Sequence, residues 1–370
     1  MGETEQAWDE TKPTPYLFRT GGYGPVRKSI ELMDLNTKSE TLEEAHIKME
    51  HSRGHIMKQT DTIYVAGHRG MVGSAFVREL KKRGYNNILT ATHSDLDLKD
   101  TQKVNDFFKM TKPDYVILAA AKVGGIKANM LHNSEFLLTN STIQNNVIAA
   151  CYKNKVKKLV MLGSSCIYPA QCKQPIKEEY LLTGPLEPTN EGYALAKISG
   201  LKLAQYYNRE FGMKVLCPMP CNLYGENDSF DPDNSHVLSA LVKKFVDAKD
   251  KKVPSVTMWG TGVARREFLN VNDAVNAILL AMDKWDSPEI INIGSGEDIS
   301  IKELARIVAT ESGYNGEVEW DSSMPDGMLL KCLDVSKINS LGFKPKIYLR
   351  DGIKQMIQEY RKQKSKIELS

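Results

Sequence analysis

The stretch Thr62–Leu80, TIYVAGHRGMVGSAFVREL, constrains the fold more than any other part of the chain. Thr62–Ala66 is β-branched and apolar and reads as a buried strand. Gly67, Gly70 and Gly73 follow in a G-x-x-G-x-x-G spacing, and Ser74–Leu80 opens a helix with apolar Ala75, Phe76 and Leu80. Strand, glycine turn and helix in that order let a pyrophosphate approach bare backbone at a helix N-terminus, where free N–H groups and the dipole favour negative charge. Isolated glycines also serve ordinary turns, so the surrounding strands carry the argument.

Those strands follow. Asn87–Ala91 reads as a second strand, and Asp114–Ala121 as a third, running into a Val123-Gly124-Gly125-Ile126 loop. Lys158–Gly163 is a fourth and Lys214–Pro218 a fifth, with helices over Asn133–Asn154 and Glu191–Phe211 between them. This alternation predicts an α/β fold, a Rossmann-type doubly wound parallel sheet with its ligand at the C-terminal ends of the strands. After residue 222 the pattern changes. A polar loop Asp228–His236 precedes a helix at Val237–Ala248, and Val256–Trp259 is a short strand before a Gly260–Gly262 turn. A helix starts at Asn272 or Asp273, and Ile290–Ile293 is a strand. Ile301–Gly313 is a helix with Ser300 as N-cap and Glu303 three residues on. A loop at Met324–Lys331 and a helix at Leu349–Gln363 close the chain. We expect a disordered leader over 1–60, with a short helix at Leu42–Glu50, and a nucleotide-binding domain over 61–222. A smaller discontinuous substrate lobe over 223–370 returns segments near 256–293 to the first domain.

Composition narrows the function. Lys and Arg total 49 against 46 Asp and Glu, a net charge of +3, and no basic track points to nucleic acid. No apolar run reaches the roughly 18–20 residues of a membrane helix, and no secretory signal opens the chain. Cys151, Cys166, Cys172, Cys217, Cys221 and Cys332 show no C-x-x-C spacing, which argues against a zinc site or a disulfide framework and for a reducing cytoplasm. No metal is expected.

Chemistry enters at Tyr193 and Lys197, which a Tyr-x-x-x-Lys spacing puts on one helical face. An ammonium beside a phenol favours the phenolate and makes Tyr193 an acid–base group. The end of the second strand, Ala91-Thr92-His93-Ser94, lacks the acid that holds the ribose hydroxyls of NAD, while Arg69 lies in the glycine loop. A cation without an acid predicts NADP(H). Asp97 and Leu98 lie where the adenine is expected.

The motifs AGHRGMVGSA (66–75), LAAAKVGGI (118–126), LGSSCIYP (162–169), LEPTNEGYALAKISG (186–200), NLYGENDSFDPDNSHV (222–237) and WGTGVARREFL (259–269) resemble the extended short-chain dehydrogenase/reductase superfamily. Within it they resemble the GDP-L-fucose synthases, over about residues 61–360. The resemblance implies NADPH-dependent 3,5-epimerisation and 4-reduction of GDP-4-keto-6-deoxymannose. It implies Ser164, Tyr193 and Lys197 at the reduction and Cys166 and His236 at the epimerisations, with Cys166 as base and His236 as acid. It implies cofactor contacts from Gly67, His68, Arg69, Gly70, Met71, Val72, Gly73, His93, Asp97, Leu98, Lys197, Pro220, Asn222, Leu223 and His236. Bacterial members tend to carry an arginine where His93 stands, so the expected NADP preference rests more on Arg69 here. It implies GDP-sugar contacts from Lys244, Trp259, Arg266 and Asp326, with Lys331 nearby, and a homodimer through the helices near 133–154 and 191–211. Another NDP-sugar reductase, epimerase or dehydratase, or a nucleotide-sensing module without catalysis, are the alternative readings.

Overall fold

A computed structural model of the protein describes residues 57–231, 235–324 and 326–368. The expected leader, apart from 57–60, and its helix at 42–50 lie outside the described residues. Residues 57–60 pack on the first sheet: Met57 is buried, and its carbonyl accepts a hydrogen bond of 3.1 Å from the Tyr85 hydroxyl.

Strands β1 (Ile63–Ala66), β2 (Ile88–Leu89), β3 (Tyr115–Leu118), β4 (Lys158–Met161) and β5 (Val215–Pro220) are joined by β9 (Ile290–Ile293) in a six-stranded sheet. Its order is 2-1-3-4-5-9, and every pairing is parallel. The chain leaves β1 for β2 on one side and β3 on the other, so the order reverses between β1 and β3. That reversal opens a crevice above the C-terminal ends of the strands. Every residue of β1, β3 and β4 is buried, because helices cover both faces. Each fully buried large apolar side chain, such as Ile63 or Phe76, stabilises the fold by about 1.5–3 kcal/mol.

Boundaries differ from the sequence reading in instructive ways. The first helix spans Met71–Lys82 and begins three residues earlier than Ser74, because Gly70 is its N-cap without any side-chain cap to mark the start. The second strand is only Ile88–Leu89, pairing with β1 over two residues. The helix expected at Asn272 or Asp273 spans Val271–Lys284, capped by Asn270, whose Oδ1 accepts from the Asn272 N–H at 3.0 Å. Helix Ile301–Ser312 does carry Ser300 as its cap, accepting from the Glu303 N–H at 3.1 Å.

A second core gathers Phe230, Leu241, Val242, Phe245, Leu304 and Ile353. Around it lie β6 (Asn222–Tyr224), β8 (Arg265–Asn270), β10 (Asp298–Ser300) and β12 (Leu330–Lys331), all joined through β8, and a pair formed by β7 (Ser255–Trp259) and β11 (Glu317–Asp321). Of the stretch 256–293, β9 joins the six-stranded sheet while β7 pairs with β11.

The glycine turn is held by sterics. Gly67 has φ +86°, and a Cβ there would lie 2.6 Å from the Ala120 amide nitrogen. A Cβ on Gly73 would fall on the Gly67 carbonyl oxygen. Backbone cannot yield as a side chain can, so Gly73→Ala should lose about 1–3 kcal/mol of stability and weaken nucleotide binding. Denaturant unfolding and NADPH fluorescence titration check both; unchanged values would remove the close-packing argument.

Candidate active site

The crevice is built from the loops that leave β1, β3, β4 and β5. At its first wall, Gly67, Gly70 and Gly73 form a cradle with no side chain in it. The Gly70 amide donates to the Gly67 carbonyl at 3.1 Å, and the helix that follows presents the N–H groups of its first turn, Met71, Val72 and Gly73. The Nδ1 atom of His68 is buried with no protein hydrogen-bond partner. Bare backbone, helix N-terminus and an unpartnered imidazole nitrogen fit the phosphates of a dinucleotide. Arg69 is exposed beside Asp95, whose carboxyl is held below its usual range by hydrogen bonds from Thr92 and then by the Arg69 charge. His93 is exposed, its Nδ1 3.8 Å from Asp97 Oδ1, and Leu98 is buried below them. No acid ends β2, so this corner suits a 2′-phosphate. On the far side, Pro220 ends β5, Asn222 Nδ2 donates to the Glu267 carbonyl at 2.8 Å, and Leu223 is buried.

The second wall follows β4. Gly163 lets the chain pass under Met219, since a Cβ would fall on its sulfur. Ser164 then caps a short 3-10 turn, Ser165–Ile167, its Oγ accepting from the Cys166 N–H at 3.2 Å. The same hydroxyl hydrogen-bonds with Tyr193. Cys166 is half-buried, and Lys331 Nζ lies 3.8 Å from its sulfur. Helix Glu191–Phe211 brings Tyr193 and Lys197 over the turn. Lys197 is 5 % exposed; its Nζ donates to the Leu162 carbonyl at 2.8 Å and stands 5.8 Å from the Tyr193 ring centre.

The expectation that the lysine lowers the phenol pKa needs correcting. Burial pushes the Tyr193 hydroxyl well up, nearby Cys166 adds to that, and Ser164 pulls it down. Burial instead acts on the lysine, pushed down to about 8. The ammonium is spent on the Leu162 carbonyl, a bond that aims the side chain under the ring.

The structure brings Ser164, Cys166, Tyr193 and Lys197 together. His236 stands at the exposed N-cap of helix Val237–Asp250, and its described electrostatic neighbour is Asp228. That carboxyl is buried on Ser239, and burial raises it. At the end of β7 a second group forms. Lys244 Nζ donates to the Thr257 carbonyl at 2.6 Å, Trp259 is 72 % exposed, and Asp326 accepts from the Thr261 N–H and hydroxyl at 2.7 Å each. The exposed indole offers a face for a base. Arg266, on β8, donates from Nη1 to the Met328 carbonyl at 2.5 Å, which orients its fork. Asp228 and Glu267 escaped the sequence reading. The one usable signal was an acid set against the buried Phe268-Leu269 of β8.

Fold and site define a nucleotide-dependent reductase or epimerase of the short-chain dehydrogenase kind. The profile of the NAD dependent epimerase/dehydratase family matches residues 63–294. The GDP-L-fucose synthase 1 of Arabidopsis thaliana is 50 % identical over 300 residues, 81 % of this chain and 93 % of that protein. The GDP-L-fucose synthase of Escherichia coli K12 is 46 % identical over 305 residues, covering 80 % of this chain and 95 % of the relative. A solved GDP-L-fucose synthetase from Naegleria fowleri, bound to NADP, superposes with a TM-score of 0.78 at 29 % identity, over 85 % of this chain and 96 % of that one. The chain belongs to the NAD dependent epimerase/dehydratase family and, within it, to the group of the GDP-L-fucose synthases. Among the described residues, no cluster of three or more His, Cys, Asp or Glu is placed to hold a metal ion, and no helix is long and apolar enough to cross a membrane.

Lys197→Met tests the electrostatics. Burial lowers the folded-state pKa below the unfolded one, so the buried ammonium costs stability in full below about pH 8 and progressively less toward 10.5. The variant should lose at least about 10²-fold in hydride transfer. Its stability relative to the parent should fall as pH rises from 8 to 10; denaturant melts across that range that keep a constant difference would contradict the assignment.

Proposed function

We propose that the chain makes GDP-L-fucose, by 3,5-epimerisation and NADPH-dependent 4-reduction of GDP-4-keto-6-deoxy-D-mannose. The observation that carries the reading is a thiol, a hydroxyl and a phenol, Cys166, Ser164 and Tyr193, gathered at the C-terminal end of β4, on the same edge of the sheet as the glycine cradle that follows β1. A C4 ketone acidifies the hydrogens on C3 and C5. Cys166 takes a proton from each carbon in turn while Tyr193 and Ser164 hold the ketone oxygen, and His236 returns one on the opposite face. NADPH supplies the hydride that reduces C4. Tyr193 then protonates the C4 oxygen, with Lys197 keeping the ring on station.

The cradle at Gly67–Gly73, with His68 and Arg69, holds the cofactor phosphates, and His93, Asp97 and Leu98 flank its adenosine end. Pro220, Asn222, Leu223 and His236 lie on the nicotinamide side. Lys244, Trp259, Arg266 and Asp326 take the GDP moiety, Trp259 by stacking and Arg266 on the pyrophosphate. In this reading 61–222 is the nucleotide domain and most of 223–370 the substrate lobe. All six cysteines are free, which fits the cytoplasm. Exposed Leu138, Leu195 and Tyr206 on the two long helices support a homodimer packed there.

Product analysis by NMR, coupled to NADPH oxidation, tests the whole assignment. In D₂O without NADPH, the enzyme should place deuterium at C3 and C5. Cys166→Ser should slow that exchange about 10²–10⁴-fold yet still reduce a pre-epimerised ketone. Reduction without any exchange in the parent enzyme would point to a plain GDP-sugar 4-reductase. Separately, Leu138→Glu should shift the protein from dimer to monomer in sedimentation; a monomeric parent would end the dimer reading.

A further inference from the structure

Glu267 lies beneath the site, 1 % exposed, between Arg266 and Phe268 on β8. Its carboxyl group accepts from backbone N–H groups of two separate segments. Oε1 takes the Gly296 N–H at 2.7 Å, in the turn leaving β9, and Oε2 takes the Leu333 N–H at 2.8 Å, just beyond β12. Ser295 adds a further hydrogen bond. Gly294 makes room, since a Cβ there would fall on Oε1. Burial pushes this carboxyl up to about 7, against the pull of its N–H donors. A group that costs stability when ionised, yet has space cleared for it, serves more than packing.

The segment it anchors bears on the chemistry. β12 pairs with β8 only at Leu330 and Lys331. Beyond it, the Cys332 N–H donates to Gln174 Oε1 at 3.0 Å, and the next N–H, of Leu333, goes to Glu267. Ile176 bridges the other edge of this segment with backbone, its N–H donating to the Cys332 carbonyl and its carbonyl accepting from the Asp334 N–H, both at 2.8 Å, so on the β8 side it is side chains that finish what a longer strand would do. Lys331, at the head of this segment, has its Nζ 3.8 Å from Cys166 Sγ.

We propose that Glu267 is a positioning residue for proton transfer: by anchoring Leu333 to β8 and the 294–296 turn, it holds the Lys331 ammonium against the Cys166 sulfur. This rests on the reading of Cys166 as the base. In that step the sulfur, in its anionic form, takes the carbon-bound proton and becomes a neutral thiol. The C–H electron pair moves into the enolate, with its charge on the ketone oxygen. The ammonium balances the sulfur's charge before the transfer.

Glu267→Gln keeps the shape but turns one acceptor oxygen into an NH₂ facing a backbone N–H, so one anchor is lost. Gly294→Ala dislodges the same carboxyl from outside and serves where the first variant folds poorly. Either should slow deuterium exchange at C3 and C5 about 10²-fold, the cost of misplacing a reacting group by about 1 Å. NADPH affinity and reduction of a pre-epimerised ketone should be unchanged. Lys331→Met should show the same loss, and the double variant no further loss. Full exchange in both Glu267→Gln and Gly294→Ala, an equal fall in exchange and reduction, or additive losses with Lys331→Met would overturn the proposal. A parent enzyme that reduces without exchanging would defeat the functional reading instead. The positioning claim then stands on alkylation of Cys166 by iodoacetamide, which Glu267→Gln and Lys331→Met must slow alike; equal rates to the parent overturn it.

Discussion

One hydrogen bond organises the site: the Lys197 ammonium on the Leu162 carbonyl at the end of β4. A buried charge leaves water at a cost that only a well-placed partner offsets. The partner here is backbone at the C-terminal end of a central strand, so the lysine is bound to the sheet rather than to another side chain. That bond draws helix Glu191–Phe211 onto the sheet with its third residue, Tyr193, over the Ser164–Cys166 turn. The neighbouring long helix, Asn133–Lys153, closes on it without clearance. Cβ atoms at Gly192 and Gly200 would fall on the Asn133 carbonyl and the Gln144 side chain, and Gln144 itself donates to the Ala196 carbonyl.

The two cores meet along β8. Its partner β6 continues from β5 of the nucleotide sheet, and its partner β10 follows directly on β9. Arg266 and Glu267 are consecutive on β8 and take opposite environments: one side chain is half-buried with its fork on the Met328 carbonyl, the other is enclosed. Alternation along a strand does this without further design. It sets a cation on the half-buried side of the strand and an acid in the joint between the two cores.

Much of this was legible in the residues, for physical reasons. The glycine turn shows itself because sterics leave no other residue room at Gly67 and Gly73, and the parallel strands because they are buried on both faces. Ser164, Tyr193 and Lys197 could be placed because strand end and helix periodicity are local properties. The start of the first helix was not, since Gly70 caps it with nothing but backbone. β8 was also hidden. Its leading Arg265-Arg266-Glu267 is three charged residues in a row with no apolar alternation to mark a strand, and its partners β6, β10 and β12 are scattered in sequence. The behaviour of the Tyr193 phenol could not be read either, because spacing reports proximity to a charge and says nothing of how deeply both groups are enclosed.

The six-stranded sheet is completed by β9, a strand that leaves the ribosome after β6, β7 and β8 have all been made. Until then β5 presents one open edge, rich in apolar residues, to whatever lies near it. The nascent chain must carry that unpaired edge while β6, β7 and β8 are still being synthesised. The six-stranded sheet is therefore closed only by a segment made after β8, and a chain cut before β9 would leave β5 as an exposed edge.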